Sequence, residues 1–260
     1  MRTDDRMAQI VTLGGLDPEA LTTLARDGVG ALRVPGFFDE KFCEQLLAVG
    51  HEFLERYDRD QYPVVACKIG PALNEYMVKD GISPQYWSEA DRVVHLWSTE
   101  LRHLAVHDEC HRLLTESWSG PVRAARVSGR PLFWGIVREI SEGTLIHWDD
   151  VTQELQGLSI DPRPWAQLAL NVFLSVPEQG GEAVVWLQRW AVGDESHRIS
   201  FGYRPDVIRP SSPICTIVPH VGDAILFNAR NYHTVNPGHS GRRVAFSAFV
   251  GLGDEMALWS

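Results

Sequence analysis

The sequence predicts an α+β fold, in which a helical layer with a few strands over residues 1–120 packs on a jelly roll over residues 121–260. Two observations predict this architecture. Apolar residues recur at helical spacing in the first part, whereas short apolar runs separated by Gly, Pro, Asn and Asp follow Gly120. A chain of 260 residues without an internal repeat, a low-complexity segment or a linker fits a single domain over 1–260.

Three segments of the first part predict helices. Residues 17–28 begin with Asp17 as the N-cap and Pro18 at the first helical position, and they end at Gly28. Residues 39–57 and 86–116 carry apolar side chains at intervals of three and four, which predicts two longer helices. A strand that leads into a turn is predicted between the first two helices, at 29–38.

Six apolar runs predict the strands of the second part. They lie at 131–140, 168–176, 182–187, 214–218, 223–227 and 242–251. Turn-forming residues bound each run, and this spacing is typical of a double-stranded β-helix, the jelly roll of cupin-like proteins.

The charge balance excludes several classes of partner. Lys and Arg number 24 against 34 Asp and Glu, which gives a net charge of -10. Nucleic acids and anionic membranes require a basic surface, so a small-molecule partner is favoured. The four cysteines form no CxxC pair, and no segment reaches the roughly 18 apolar residues of a membrane span. We therefore expect reduced thiols and a cytoplasmic protein. We also expect a monomer or a homodimer.

The segment GTLIHWDD at 143–150 carries the sharpest chemical signal. In an extended strand His147 and Asp149 project to the same face, because side chains alternate. A further metal ligand is available downstream at His233, within FNARNYHTVNP. Two histidines and one carboxylate form a facial triad, which leaves adjacent metal positions open and suits Fe(II). The alternative is that both histidines are core residues and that Asp149 belongs to a turn.

With this H-x-D motif, the distal histidine and the arginines of GRR at 241–243, the sequence resembles the Fe(II)- and 2-oxoglutarate-dependent oxygenases. The resemblance implies Fe(II) held by the three residues, with 2-oxoglutarate and O2 as cosubstrates. In that family an arginine anchors the distal carboxylate of 2-oxoglutarate, since a guanidinium holds a carboxylate bidentately. We expect Arg243 in this role, because the residues that share its strand face, Ala245 and Ser247, are small. Arg242 is the alternative.

A strand, a Gly-Gly-Glu turn and a second strand at 171–186 strengthen the resemblance, and they predict a hairpin. The segment is most similar to small-molecule tailoring enzymes, which include aliphatic halogenases and hydroxylases of amino acids. Asn171 and Trp186 are candidate pocket residues, with plain strand packing as the alternative. In the halogenases Gly or Ala replaces the carboxylate of H-x-D, so that chloride can bind iron. Asp149 fills this position, so the resemblance implies hydroxylation.

Four further residues are candidates for contact with the substrate. Lys68 and Arg138 are cations in apolar, strand-like runs. Such a placement favours pairing with a carboxylate or phosphate of a ligand, or with an acid of the protein itself. Trp134 and Trp148 are candidates to line the pocket, although aromatic residues at such positions are more often core.

A second group of possible metal ligands lies in RHLAVHDECHR, where His103, His107 and His111 repeat at every fourth position. The first and the last of them would lie about 12 Å apart along a helix axis, too far for one ion to engage all three. We therefore expect a solvated helix face here.

The leading hypothesis is a 2-oxoglutarate-dependent dioxygenase that hydroxylates an unactivated C–H bond of a small metabolite, an amino acid or an amino-acid derivative. One alternative is that the same iron site desaturates or cyclises a natural-product or nucleotide substrate. Another is a non-oxidative, cupin-like metal enzyme or binding protein, which would not require 2-oxoglutarate.

Overall fold

A computed structural model describes residues 7–56, 67–79, 81–155 and 157–260. Within these ranges the α-helices are α1 (Pro18–Ala25), α2 (Glu40–Gly50), α3 (Pro84–Ser98), α4 (Val106–Glu116) and α5 (Val151–Glu154). The predicted cap of α1 is confirmed, since the Asp17 carboxylate accepts a hydrogen bond of 2.8 Å from the N–H of Ala20. None of the described helices is both long and apolar enough to cross a bilayer.

Two predicted helices differ from the structure. The helix predicted over 39–57 ends at Gly50, where a 3-10 turn (His51–Phe53) follows; its last predicted residue, Tyr57, lies outside the described residues. The helix predicted over 86–116 is divided into α3 and α4, because Ala105 adopts a left-handed φ of 48°. A residue in this conformation cannot continue a right-handed helix.

Two main sheets are built from thirteen strands of the described chain. In chain order they are β1 (Ile10–Thr12), β2 (Ala31–Val34), β3 (Glu55–Arg56), β4 (Cys67–Ile69), β5 (Val122–Ala124), β6 (Ile136–Glu139), β7 (Ala166–Ser175), β8 (Ala183–Arg189), β9 (Ile214–Ile217), β10 (Ala224–Asn228), β11 (Asn231–Val235), β12 (Val244–Leu252) and β13 (Met256–Trp259).

Further two-residue strands form small ribbons. They are Met77–Val78 with Gly81–Ile82, Arg198–Ile199 with Gly202–Tyr203, Gln179–Gly180 with Gly238–His239, and Arg126–Val127 with both Arg130–Pro131 and Ile160–Asp161.

The larger sheet has ten strands and the smaller has three. The larger runs in the order β1-β2-β10-β7-β12-β6-β4-β3, with β13 beside β12 and β5 beside β13. The smaller runs β9-β8-β11. The pairs β1–β2 and β5–β13 are parallel, and the other pairs of both sheets are antiparallel. The few strands of the first part, β1 to β4, therefore extend the β-structure of the second part.

The two sheets face each other across a buried apolar cluster. Ala169 and Phe173 of β7 pack there with Val185 of β8 and Cys215 of β9. Alternate residues of β7, such as Leu170, point to the opposite face and pack in one core with buried residues of α1, α2, α3 and α4. The alternation of strand side chains thus gives the larger sheet one face toward the smaller sheet and one face toward the helices.

The hairpin predicted at 171–186 is wrong. β7 pairs with β10 and β12 in the larger sheet, whereas β8 pairs with β9 and β11 in the smaller. Gly180 and Gly181, with φ of 77° and 75°, carry the chain from one sheet to the other. A Cβ at Gly180 would lie 2.0 Å from the carbonyl oxygen of Pro237, so this crossing requires glycine.

Candidate active site

Three side chains from two distant segments converge on one point. His147 and Asp149 precede α5, and His233 lies on β11. Oδ2 of Asp149 lies 3.3 Å from Nε2 of His233 and 4.0 Å from Nε2 of His147. One ligand atom from each residue lies within 4.8 Å of the others, and among the described residues this is the only such group of His, Cys, Asp and Glu. Two imidazoles and one carboxylate are a donor set that Fe(II) accepts.

Backbone hydrogen bonds hold these segments in register. His147 and His233 form an antiparallel bridge, in which the N–H of each donates to the carbonyl of the other at 2.9 and 2.8 Å. The N–H of Asp149 donates to the carbonyl of Ala229 at 2.9 Å. The H-x-D segment therefore has its extended backbone because of an isolated β-bridge, since it does not belong to a long strand. Its two ligands share one face, as the alternation of strand side chains predicts.

The second ring nitrogen of each histidine fixes the ring orientation. Nδ1 of His147 donates to the carbonyl of Leu145 at 2.8 Å, and Nδ1 of His233 donates to the carbonyl of Asn231 at 2.9 Å. A carbonyl only accepts, so Nδ1 carries the proton in both rings. The lone pair of each Nε2 is thereby directed at the point where the three side chains converge.

Burial governs the electrostatics of this group. It lowers the pKa of His147 to about 4, and the neighbouring His233 acts in the same direction. Burial alone would raise the pKa of Asp149, but the neighbouring groups His233, His147 and Arg138 lower it overall. Neutral imidazoles beside an ionised carboxylate are the protonation states that bind a divalent cation.

Two cavities share His147 and Asp149 as part of their walls. We call them the inner chamber, of about 90 Å³, and the outer chamber, of about 580 Å³. His233 lines the inner chamber only, whereas Arg138 and Thr144 line both. The chambers therefore meet at the possible metal ligands.

The two arginines of GRR have opposite surroundings. Arg243 lines the inner chamber and is 4% exposed; its Nε donates to the carbonyl of Gly181 at 2.9 Å. Burial lowers its pKa to about 10, and no described carboxylate opposes this effect. Arg242 points away, and its guanidinium donates to Glu139 at 3.0 and 2.6 Å. A buried guanidinium without an acidic partner favours an anionic ligand beside Arg243.

Asn171 also lines the inner chamber. It lies on β7 directly opposite Ser247 of β12, and the Ser247 hydroxyl donates to Oδ1 of Asn171 at 2.8 Å. The small side chains of Ala169 and Ala245 line the same chamber. These residues leave space between the arginine and the possible metal ligands.

One wall of the outer chamber is an aromatic and charged cluster. Trp148 stacks on Trp190 with ring centroids 5.1 Å apart, and its Nε1 donates to the Tyr203 hydroxyl at 3.2 Å. Glu195 accepts hydrogen bonds from Arg198 at 2.6 Å, Tyr203 at 2.7 Å and Trp190 at 2.8 Å. The bond from Arg198 is the largest of the effects that lower the pKa of Glu195 to about 2. The polar groups of this wall therefore satisfy one another.

The two candidate cations are placed differently. Lys68 on β4 is buried and lines neither chamber, and its ammonium pairs with Glu75, which does line the outer chamber. This is the ion pair within the protein that the sequence left open. Arg138 on β6 lines both chambers, and its charge contributes to the lowered pKa values of His147 and Asp149.

Two predicted pocket aromatics lie outside both chambers. Trp134 packs against His107 and Phe246, with centroids 5.0 and 6.2 Å away, so its expected place in the pocket is wrong. Phe246 belongs to the core on the helix side of the larger sheet. Trp186 packs in a separate small aromatic cluster, because Val185, its neighbour on β8, faces the layer between the sheets. For Trp186 the packing alternative holds.

The histidines at 103–111 do not form a solvated face. The break at Ala105 leaves His103 outside α4. His107 and His111 are half-buried, and Nε2 of each donates to a backbone carbonyl at 3.1 Å. The expectation of a solvated face is wrong for these two, because they pack against the strands beneath α4.

The sequence interpretation missed Glu154, which lines the outer chamber from the end of α5. Asp150 caps this helix, since its carboxylate accepts from the N–H of Thr152 at 3.0 Å. Burial raises the pKa of Glu154 to about 8, and the neighbouring Asp149 acts in the same direction. The available signal is DVTQE directly after H-x-D: a capping Asp with Glu four residues later predicts a helical turn.

The sequence is 36% identical over 251 residues to the L-gamma-glutamyl-L-propargylglycine hydroxylase of Streptantibioticus cattleyicolor, and the match covers 92% of this chain and 91% of that protein. The chain belongs to the Fe(II)- and 2-oxoglutarate-dependent oxygenases. No family model matches this oxygenase. Its cofactor is Fe(II), with 2-oxoglutarate and O2 as cosubstrates, and the two-histidine, one-carboxylate donor set fits that ion.

Two crystal structures share the fold of this oxygenase. One is an N-substituted L-amino acid dioxygenase from Burkholderia ambifaria, with a TM-score of 0.60 and 15% identity over 93% of this chain and 90% of that one. The other is HygX from Streptomyces hygroscopicus with nickel and 2-oxoglutarate bound, with a TM-score of 0.50 and 17% identity over 91% of this chain and 87% of that one. At these identities the likeness concerns the fold alone.

Proposed function

We propose that this oxygenase hydroxylates an unactivated C–H bond of an amino acid or amino-acid derivative. The relative at 36% identity is named as a hydroxylase of such a derivative, a γ-glutamyl amino acid. Iron with 2-oxoglutarate and O2 supplies the oxidising chemistry when bound. The residues of the chain bind and orient the two organic molecules and exclude water.

In this proposal His147, Asp149 and His233 hold the iron. Their Nε2 and carboxylate atoms converge, and both imidazoles are held in the ligating tautomer by backbone carbonyls. Asp149 also argues for hydroxylation over halogenation, because a carboxylate ligand leaves no position for a halide at the metal.

Arg243 is the proposed anchor for the distal carboxylate of 2-oxoglutarate. The observation that carries this proposal is its buried guanidinium, which lines the inner chamber beside the metal ligands and has no carboxylate partner among the described residues. Burying an unpaired charge costs several kcal/mol, roughly, and a bound dicarboxylate removes this cost. Arg242 is the weaker candidate, because Glu139 already binds it. Asn171 is proposed to contact 2-oxoglutarate in the same chamber.

The outer chamber is proposed to hold the substrate. Its volume of about 580 Å³ lies within the range of small-molecule sites, roughly 300–1,000 Å³. Trp148 offers an apolar surface beside the metal ligands, and Arg138 is proposed to bind a carboxylate of the substrate.

The finer architecture is part of the same proposal. The two facing sheets are proposed to form the jelly roll, with helices α1 to α4 as a layer on the larger sheet and residues 1–260 as one domain. The core that these helices share with the larger sheet supports this assignment. We also propose that the oxygenase is a monomer or homodimer and that it is located in the cytoplasm. The four free cysteines of the chain support the second point, because they are typical of a reducing compartment.

A screen for succinate release tests the proposed function. The iron-loaded oxygenase is incubated with 2-oxoglutarate and free, N-acylated or nucleotide-linked metabolites, and product masses are recorded. The proposal expects succinate formation that an amino acid or its derivative stimulates, with a product that gains one oxygen atom. A product that loses two hydrogens would indicate desaturation or cyclisation. Substrate turnover without succinate would overturn the proposal.

A further inference from the structure

The carboxylates that line the outer chamber differ in their partners. The described acids that line this chamber are Asp149, Glu75, Glu195 and Glu154. Asp149 faces the two imidazoles, Glu75 pairs with Lys68, and Glu195 accepts from Arg198 at 2.6 Å. Glu154 is the fourth acid, and its surroundings differ from those of the other three.

Glu154 has no cationic partner in the described part of the chain. Its side chain is half-buried, and neither an ion pair nor a hydrogen bond joins its carboxylate to another described side chain. The partner it does have is the backbone N–H of Asp150, and its nearest charged influences, Asp149 and Asp150, are both acidic. Glu154 is therefore the acid of this chamber that no described cationic side chain neutralises.

The position of Glu154 connects it with the chemistry. It lies at the end of α5, five residues after Asp149, lines the same chamber as Arg138 and Trp148, and is close enough to Asp149 for the two charges to repel. A cation bound by Glu154 would thus lie in the chamber proposed for the substrate and beside the metal ligands. Burial that isolates a carboxylate also strengthens its interaction with a partner of opposite charge.

We propose that Glu154 binds a free ammonium group of the substrate, so that the oxygenase acts on an amino acid or small peptide with an unblocked amine. This inference rests on the proposed function, because it assumes that the outer chamber holds the substrate. With Arg138 for a carboxylate, the chamber offers one group of each charge to a zwitterion. An N-acylated substrate would leave the Glu154 carboxylate without a cationic partner.

Matched pairs of compounds test this inference. Free L-amino acids and L-γ-glutamyl dipeptides are each compared with their N-acetyl derivatives in the succinate assay on the intact, iron-loaded chain. For the γ-glutamyl compounds, acetylation removes the ammonium charge and preserves the rest of the molecule. We expect the unblocked member of a pair to have kcat/KM roughly 10- to 100-fold above that of its N-acetyl partner, because the loss of a hydrogen bond to a charged group has an effect of this size.

Glu154→Gln supplies the second arm, because it keeps the size of the side chain and removes its charge. We expect it to raise KM for the unblocked compound by roughly tenfold or more and to reduce the preference over the N-acetyl compound to nearly one. Glu154→Asp keeps the charge and should retain part of the preference. Glu44→Gln, at an exposed position on α2, makes the same charge change and should leave the preference unaltered.

Binding of the metal and of 2-oxoglutarate separates the possible failures. Both should be unaltered in Glu154→Gln; weaker metal binding with an unaltered amine preference would mean that Glu154 supports the metal site, and would overturn the inference. A wild-type preference for N-acetyl compounds, or turnover of no unblocked amine by an enzyme that binds 2-oxoglutarate, would also overturn it. A wild-type chain that binds no 2-oxoglutarate would instead contradict the proposed function.

Discussion

The side-chain amide of Asn231 donates a hydrogen bond of 2.7 Å to the carboxylate of Asp27. Asn231 is fully buried, and its own backbone carbonyl accepts from Nδ1 of His233 at 2.9 Å. Asp27 also accepts from Asn228 at 2.9 Å and from Arg189 at 2.9 Å. Asp27, the second residue after α1, thereby fixes the backbone that orients a proposed iron ligand.

Replacing Asp27 should therefore weaken metal binding. Asp27 has a left-handed φ of 61°, so Asp27→Gly suits the backbone while it removes the carboxylate. We expect about tenfold weaker binding of Fe(II) in anaerobic titrations, as for other partners of metal-ligating histidines. Asp27→Asn keeps an accepting oxygen for Asn231 and should bind the metal nearly as wild type does. Equal metal affinity of the folded Gly variant and the wild type would contradict this role.

Replacing Asp149 tests the ligand that implies hydroxylation. Asp149→Gly removes an anionic ligand and opens a metal position that chloride could enter. We expect the loss of most hydroxylation and at most weak chlorination, because halogen transfer also requires neighbouring groups that hold the substrate radical near the halide. Product masses with and without chloride measure both outcomes. Full hydroxylation by this variant would mean that Asp149 is not an iron ligand.

His107 should make the stability of the fold depend on pH. Burial lowers its pKa to about 4, whereas an unfolded histidine titrates near 6.5, roughly. Between these values the unfolded chain binds more protons, so the free energy of unfolding falls as the pH decreases from 6.5 toward 4. His107→Gln can still donate to the carbonyl of Trp134 and lacks this titration.

Denaturant unfolding of both proteins at pH 7 and pH 5 measures the effect. The buried His147 acts in the same direction, so the difference between the variant and the wild type is the informative quantity. From pH 7 to pH 5 the free energy of unfolding of His107→Gln should rise by roughly 2 kcal/mol relative to that of the wild type. An unchanged difference would mean that His107 titrates normally in the folded protein.

The sequence predicts local features of this molecule better than long-range ones. Alternation places His147 and Asp149 on one face, and residue preference predicts Asp17 as a cap, because both depend on neighbours in the chain. Alternation does not identify the partner strand, so the predicted hairpin at 171–186 was wrong and Trp186 faces away from both chambers.

Charged residues give the same lesson. Lys68 pairs with Glu75 through the local path of the chain between β4 and a 3-10 turn, which the apolar pattern around Lys68 does not reveal. Glu154 was missed because a four-residue helix has too few positions for a periodic pattern. Its place in the outer chamber depends on the segment that presents His147 and Asp149, and so on the bridge to a strand far along the chain.

Anaerobic titration of the Fe(II)-loaded chain with 2-oxoglutarate tests the central claim most directly. A visible charge-transfer band should appear on binding. Arg243→Leu should weaken 2-oxoglutarate binding by roughly 2–5 kcal/mol, because it removes one partner of a buried charge pair. The same variant should bind iron almost as the wild type does. Arg242→Leu, which disrupts the ion pair with Glu139, serves as the control and should bind nearly as wild type does. No band in the wild type, or a loss confined to Arg242→Leu, would contradict the account.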